Sequence, residues 1–240
     1  MSDCVVVWTT LGKLWRNWPP EAVDRRFKLF LLTALPSLRR QSRPVDYVII
    51  VTDDATKQRY EAMPDLCQQA GIIWVSREAV SEWFNSLPPQ FDRLTTLRID
   101  SDDMYAPTAI ELAAEKPPGF WLFKVGYYWD IPRDAVWKWS HPSPPFFAQT
   151  CYREDDGTFA VRRPQHRRVQ RIAKGTLPPW QYAVTWHNER RGSSSGALRR
   201  YCSKLQNGKA LFYDTFTPRQ PVWDSDKHPA VVACLGDYKL

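Results

Sequence analysis

The chain has 240 residues with 43% apolar and 14% aromatic content, which is the composition of a globular protein with a substantial core and not of a disordered segment. Its net charge of +7 is unevenly spread: residues 161–209 carry twelve Lys/Arg against one acid, Glu189, a local balance of +11, while the rest is slightly acidic. No apolar run approaches a membrane span and the five cysteines form no CxxC pair, so the expectation is a reduced, cytoplasmic protein without a transmembrane segment or a disulfide framework.

The N-terminus lacks a basic lead and reads as a first strand over Cys4–Thr10. Pro19, Pro20 and Glu21 open a helix with Phe27, Phe30, Leu31 and Ala34 at helical spacing, which Pro36 is expected to interrupt. Tyr47–Val51 is a second strand, ending in Thr52-Asp53-Asp54, and a helix over about 56–69 stops at Gly71. A third strand at Ile72–Val75, a helix over about 77–86, a fourth strand at Leu94–Ile99 and a helix over about 107–115 follow. This alternation predicts an α/β fold with a mixed, mainly parallel sheet and helices on both faces.

Beyond 115 the character changes. Trp121–Trp129 is aromatic strand material ending at Asp130, and a proline-rich stretch with Pro142, Pro144 and Pro145 precedes another strand at Phe146–Tyr152. The basic region then contains a strand-like run, Trp180–Trp186, a Gly192–Gly196 loop and a helix-like Ala197–Leu205 segment. Without a clean linker, a single domain over 1–240 is expected, whose half at 116–240 completes a site begun in 1–115.

The chemistry concentrates where the fourth strand ends, at Arg98-Ile-Asp-Ser-Asp-Asp103. Side chains alternate along a strand, so Asp100 and Asp102 are expected to face one point while Asp103 begins the turn. Hard oxygen ligands gathered this way suit Mg²⁺ or Mn²⁺, ions completed by substrate phosphates. The bland alternative is an ordinary turn, which Asp also favours. Thr9-Thr10, Asp53-Asp54 and Asp100–Asp103 all fall at strand C-termini, where open α/β sheets bind ligands. His187 is a further candidate metal ligand, and Arg190 and Arg191 candidate phosphate contacts, with the Gly192–Gly196 loop as a lid.

These features resemble a glycosyltransferase of the GT-A type, whose hallmark is an Asp-x-Asp metal site after a central strand. The chain is similar to the bacterial rhamnosyltransferase-like family. The resemblance is carried by Arg26-Phe27 with Leu35-Pro36-Ser37-Leu38 and Gln41, by the acidic motif, and by Trp180-Gln-Tyr-Ala-Val-Thr-Trp-His-Asn188. It implies a GT-A, Rossmann-like fold, a nucleotide-sugar-binding half over 1–115 and an acceptor-binding half over 116–240. By position it implies Asp102 as principal ligand of Mn²⁺ or Mg²⁺, with Asp100 on the metal or ribose and His187 completing the shell. Asp103 would orient the sugar, and Thr9, Arg26, Asp53, Arg93, Asp100, Arg190 and Arg191 would hold the donor. An inverting reaction needs a carboxylate base, for which Asp130 is the choice, with Asp134 and Glu154 behind it.

The basic segment, with a single acid, points to a polyanionic acceptor, and a hydroxymethylated base in DNA, of the kind modified by phage-type enzymes in the host cytosol, is the preferred expectation. Tyr127, Tyr128 and Trp129 are candidate stacking platforms for an extruded base, and Arg167 and Arg168 candidate phosphate contacts. A bacterial surface glycan or lipid-linked acceptor is the alternative. A non-catalytic nucleic-acid-binding module is the rival of another class, and a metal-dependent nuclease or nucleotidyltransferase a further one.

Overall fold

The computed structural model describes residues 2–11, 19–61, 71–130, 135–142, 144–164, 166–186 and 202–216. In chain order the strands are β1 (Ser2–Thr10), β2 (Tyr47–Thr52), β3 (Ile72–Ser76), β4 (Phe91–Arg98), β5 (Met104–Tyr105), β6 (Gly119–Leu122), β7 (Val125–Asp130), β8 (Ala135–Ser140), β9 (Phe147–Tyr152), β10 (Ala173–Thr176), β11 (Tyr182–Trp186) and β12 (Cys202–Ser203). The helices are α1 (Pro20–Leu29), α2 (Leu35–Arg39), α3 (Asp54–Glu61), α4 (Val80–Asn85), α5 (Ala109–Ala114), α6 (His166–Ile172) and α7 (Gly208–Phe216).

A seven-stranded sheet runs β10-β6-β9-β4-β1-β2-β3, and a five-stranded sheet runs β12-β8-β7-β11-β5. In the larger sheet β1 to β4 are mutually parallel, β9 is antiparallel to its neighbours β4 and β6, and β10 is parallel to β6. Every strand but β9 therefore ends on the same edge. The mixed, mainly parallel sheet with helices on both faces is the architecture expected from the alternation of elements.

Burial by parity explains the two faces. Val5, Val7, Val48 and Ile50 look toward α1, α2, α5 and the smaller sheet, in one core with Phe27, Leu35, Ile110, Tyr128 and Tyr182. Val6, Trp8, Ile49 and Val51 look the other way, against Val80 and Phe84 of α4 and Val169 of α6. A third cluster joins Tyr127 and Ala183 to Phe212 and Phe216 of α7 behind the smaller sheet. Among the described residues no helix is long and apolar enough to cross a membrane.

Three local expectations change. Pro36 does not end the first helix, because Phe30–Ala34 forms a π-turn in which the Leu35 N–H reaches back to the Phe30 carbonyl. The wider turn opens the space that a proline ring needs, and the chain continues helically to Arg39. The aromatic run 121–129 is not one strand: it breaks at Phe123-Lys124, so that β6 stays in the large sheet and β7 founds the small one. Gly126 then lies so close to β11 that a Cβ would meet the Tyr182 carbonyl at 2.5 Å. Cys202–Ser203, expected in a helix, is instead a short strand paired with Trp139 and Lys138 of β8, a strand that the sequence did not announce.

Candidate functional site

The acidic motif does not continue the strand. β4 stops at Arg98, and the Asp103 N–H closes a turn onto the Asp100 carbonyl at 3.1 Å. Period-two geometry therefore ends before the acids, and Asp100 and Asp102 take different partners. Asp100 accepts from Arg98 Nη2 at 2.6 Å and keeps 30% side-chain exposure. Asp102 has no exposed side-chain surface and pairs through Oδ2 with Arg26 Nη1, whose side chain is 17% exposed. Asp103 is buried and accepts the Thr185 backbone N–H at 2.9 Å, while the Thr185 hydroxyl donates to the Asp102 carbonyl. The turn is thus bolted to β11.

Arg26 reaches this point because α1 begins on the edge where β1 ends and buries Val23 and Phe27 against the sheet. That packing leaves the intervening Arg26 beside the strand ends, about 9 Å along the helix from its start. The turn after the acids is anchored as well. Ser37 Oγ accepts the Tyr105 N–H at 3.2 Å, Gln41 Nε2 donates to the Ala106 carbonyl at 2.8 Å, and Gln41 Oε1 accepts the Ile110 N–H at 3.2 Å. Ser37 and Gln41 therefore hold the segment that follows the motif. Burial pushes the phenols of Tyr105 and Tyr182 well above their ordinary range, and the neutral Tyr105 hydroxyl donates to the Arg98 carbonyl at 2.6 Å.

Thr9 and Thr52 sit at the ends of adjacent strands, 1% and 0% exposed. By parity both point to the face that carries α1, since Val5 and Val7 precede Thr9, and Val48 and Ile50 precede Thr52, in that core. Neither hydroxyl has a hydrogen-bond partner among the described residues. A buried hydroxyl left unsatisfied costs free energy, so a pair of them at a ligand-binding edge is a mark of a site. Thr9 was predicted from sequence. Thr52 was not; the register sets Thr9 opposite Ile50, so Thr52 lies two residues beyond that partner on the same face.

Asp130 closes β7, is 2% exposed, and lies in register with Trp186 of β11 and Ala135 of β8. Parity puts it on the Tyr128 face, toward the large sheet, one strand from the Thr185 that holds Asp103. The structure thus gathers Thr9, Thr52, Arg26, Asp102, Asp103 and Asp130 on one side of the sheet's C-terminal edge.

Other candidates are placed elsewhere. Arg93 lies at the start of β4, about 16 Å from Arg98 along the strand, and binds Asp3 at 3.1 Å and the Lys116 carbonyl at 2.6 Å. It braces the opposite edge and cannot hold a donor at the acidic turn. Asp53 caps α3, accepting the Thr56 N–H at 3.0 Å and its hydroxyl at 2.9 Å. Tyr127 and Tyr128 are 4% and 2% exposed and packed in cores, Tyr127 against Trp180, Phe212 and Phe216, so neither offers a ring face to a base. Trp129 packs on Phe212 at 5.0 Å. Arg168 is exposed on α6, which packs through Val169 on the sheet face opposite to Arg26. The basic helix therefore does not adjoin the acidic turn. Glu154 is exposed beyond β9, which ends on the far edge. Asp134, His187, Arg190, Arg191, the Gly192–Gly196 loop and the Arg167 side chain lie outside the described residues.

Among the described residues no three His, Cys, Asp or Glu side chains form a group that could hold a metal. Mg²⁺ and Mn²⁺ arrive hydrated, and Asp102 has no accessible surface and a guanidinium on Oδ2. The described residues as arranged do not fit such an ion.

No protein-family model matches the chain, and no curated protein matches it. Among solved structures it is similar to S. aureus TarS 1–349, with a TM-score of 0.44 and 13% identity over 76% of this chain and 60% of that one. A structure of the same TarS fragment in complex with UDP gives a TM-score of 0.44 and 12% identity, covering 99% of this chain and 76% of that one. Mouse xyloside xylosyltransferase 1 gives a TM-score of 0.33 and 13% identity over 52% of this chain and 53% of that one. The chain thus spans 60% to 76% of the length of the TarS fragment and 53% of that of the xylosyltransferase.

Proposed function

We propose that the protein is a glycosyltransferase that moves a sugar from a nucleotide-sugar donor to an acceptor hydroxyl. The observation that carries this reading is the convergence, at one end of a mainly parallel sheet, of two buried threonine hydroxyls, a shielded Arg26–Asp102 pair and the strand-end carboxylate of Asp130. Thr9 and Thr52 offer donors and acceptors to the nucleoside, and the diphosphate lies toward Arg26. In the transfer Asp130 takes the acceptor hydroxyl proton, the acceptor oxygen forms a bond to the anomeric carbon, and the bond from that carbon to the phosphate oxygen breaks. Its electron pair leaves on the nucleoside diphosphate, and the anomeric configuration inverts.

For the acceptor we assign a polyanionic polymer. Arg162, Arg163, Arg168, Arg171 and Lys174 are exposed, and no acid occurs between 161 and 186. Since these residues lie around the sheet from Asp130, only an extended acceptor can engage both. Hydroxymethylated duplex DNA is the first candidate and a bacterial surface glycan the second, the charge supporting DNA while the buried Tyr127 and Tyr128 remove the stacking argument for it.

The test is transfer of labelled sugar from a panel of UDP-, GDP-, CDP- and dTDP-sugars to each acceptor. Label on DNA that is lost in Asp130→Asn supports the full reading. Label on a glycan alone retires the DNA acceptor. Salt-sensitive DNA binding that ignores Asp102→Ala, with no transfer or hydrolysis of any donor, retires the enzyme and leaves a nucleic-acid-binding module.

A further inference from the structure

We infer that the cleft between β8 and the turn from β12 into α7 seats the acceptor nucleotide once it is extruded from the duplex, with its base on the Trp137 indole and a flanking phosphate on Lys204. This rests on the glycosyltransferase reading above and on its DNA acceptor. It gives Trp137 the stacking role that the buried Tyr127 and Tyr128 cannot fill.

The cleft exists because two strands part early. β12 pairs only with Trp139 and Lys138, so among the described residues 135–137 of β8 keep an edge that no strand covers. The chain then leaves through Lys204 and Leu205 and turns at Asn207, whose backbone is left-handed with φ 54°. The Gly208 N–H donates to the Leu205 carbonyl at 3.1 Å, and the Leu211 N–H to the Asn207 carbonyl at 3.0 Å, which closes that turn. Gly208 presses on the strand, where a Cβ would meet the Val136 carbonyl at 3.1 Å. Between strand edge and turn there remains a cleft of about 660 Å³. Trp137, Leu205 and Ala135 line it together with Lys204, Asn207 and Lys209, and among the described residues no acid does. Ligand clefts have volumes of about 300–1,000 Å³, so the space suits a nucleotide.

Register ties the cleft to the proposed chemistry. Asp130 pairs with Ala135 and Tyr128 with Trp137, so these four residues share the face toward the large sheet. Directly opposed residues have Cα atoms about 5 Å apart, and two residues along a strand span about 7 Å. A base resting on Trp137 is therefore about 7 Å from the register partner of Asp130, a span that a base carrying a hydroxymethyl group bridges. Trp137 is partly buried, with its ring braced by Tyr128 at 5.7 Å while its accessible part lines the cleft. A ring held in this way loses little freedom on stacking, and every base offers it a π-face. Lys204 is exposed and lines the same cleft, so it can pair with a phosphate of the strand that carries the base.

Fluorescence anisotropy with short labelled duplexes, using the full chain without a sugar donor, decides the matter. One duplex carries a mismatched hydroxymethylcytosine and the other an abasic position in its place. The wild type is expected to bind the first about 10- to 100-fold more tightly. Trp137→Ala should abolish that preference while leaving affinity for the abasic duplex unchanged, which also shows that the variant is folded, and Trp137→Phe should restore most of it. Lys204→Ala should weaken both duplexes alike and lower the slope of log affinity against log salt by about one. Equal binding of the two duplexes by the wild type, a preference that survives in Trp137→Ala, or a slope unmoved by Lys204→Ala overturns the inference. An anionic glycan that binds through Trp137 and Lys204 while neither duplex binds overturns it too. If a nucleotide sugar is still hydrolysed or transferred in these cases, the glycosyltransferase reading stands without the cleft. A Trp137-dependent preference with no donor turned over keeps the cleft and retires the enzyme.

Discussion

Thr185 and Asp103 are 82 residues apart in sequence, yet the backbone N–H of one donates to the carboxylate of the other at 2.9 Å in the interior. Through this bond the acidic turn after β4 and the end of β11 form one rigid unit, and Asp130 joins it as the register partner of Trp186. Position at the site is therefore set by the smaller sheet as much as by the strand that carries the acids.

Replacing Asp103 with Ala leaves the buried Thr185 N–H unsatisfied and should cost about 1–3 kcal/mol of stability. Thr185→Val, which removes only the hydroxyl donated to the Asp102 carbonyl, should cost about 1 kcal/mol. Urea titration checks both, and an unchanged midpoint in Asp103→Ala would show that the turn is held by something else.

Arg93→Ala should lower stability by about 1–3 kcal/mol, because a part-buried guanidinium bound to Asp3 and the Lys116 carbonyl is lost from the bottom of the large sheet. Affinity for nucleotides should not change, since the residue stands at the opposite edge from Arg26. Thermal unfolding paired with nucleotide titration separates the two effects.

Gly126→Ala places a methyl group 2.5 Å from the Tyr182 carbonyl and 2.8 Å from its ring. Neither can give way cheaply, because the carbonyl belongs to β11 and the ring is stacked on Phe146 at 4.2 Å. A cost of about 1–3 kcal/mol or more is expected, with loss of transfer as β11 and Asp130 shift. Circular dichroism and the transfer assay report the two outcomes.

Alkaline pH should destabilise the fold. Burial raises the Cys4 thiol from 9.0 to about 12 and the Cys151 thiol from 9.0 to about 11. The native state thus binds these protons more tightly than the unfolded chain, so their contribution is complete below pH 9 and is lost as the pH rises through the native values. The denaturation midpoint should hold below pH 9 and fall between about pH 9 and 12, and Cys4→Ala should flatten part of that slope. A midpoint that rises over this range would contradict the burial of both thiols.

The strands of the first half were legible, though not their order in the sheet, because they are buried on both faces and read as short runs of β-branched and apolar residues between helices of clear period. Val5–Val7 and Val48–Val51 announce themselves in this way, and so does the edge on which Thr9 ends. The acidic motif was legible as a location, since Asp-rich segments at strand ends stand out whatever they do. Its geometry was not, because alternation holds only while the chain is extended, and the chain turns at Asp100. Which carboxylate meets which cation depends on α1 and on β11, elements distant in sequence whose approach is a matter of packing. Likewise Tyr127, Tyr128 and Arg93 carry the composition of a binding site, but burial and strand direction, which sequence does not record, make two of them core and put the third on the wrong edge. Local propensity and hydrophobic period therefore determined the layers of this protein, and only the meeting of two sheets decided the site, because contacts between remote segments are selected by the shape and charge of surfaces that exist only once both have folded.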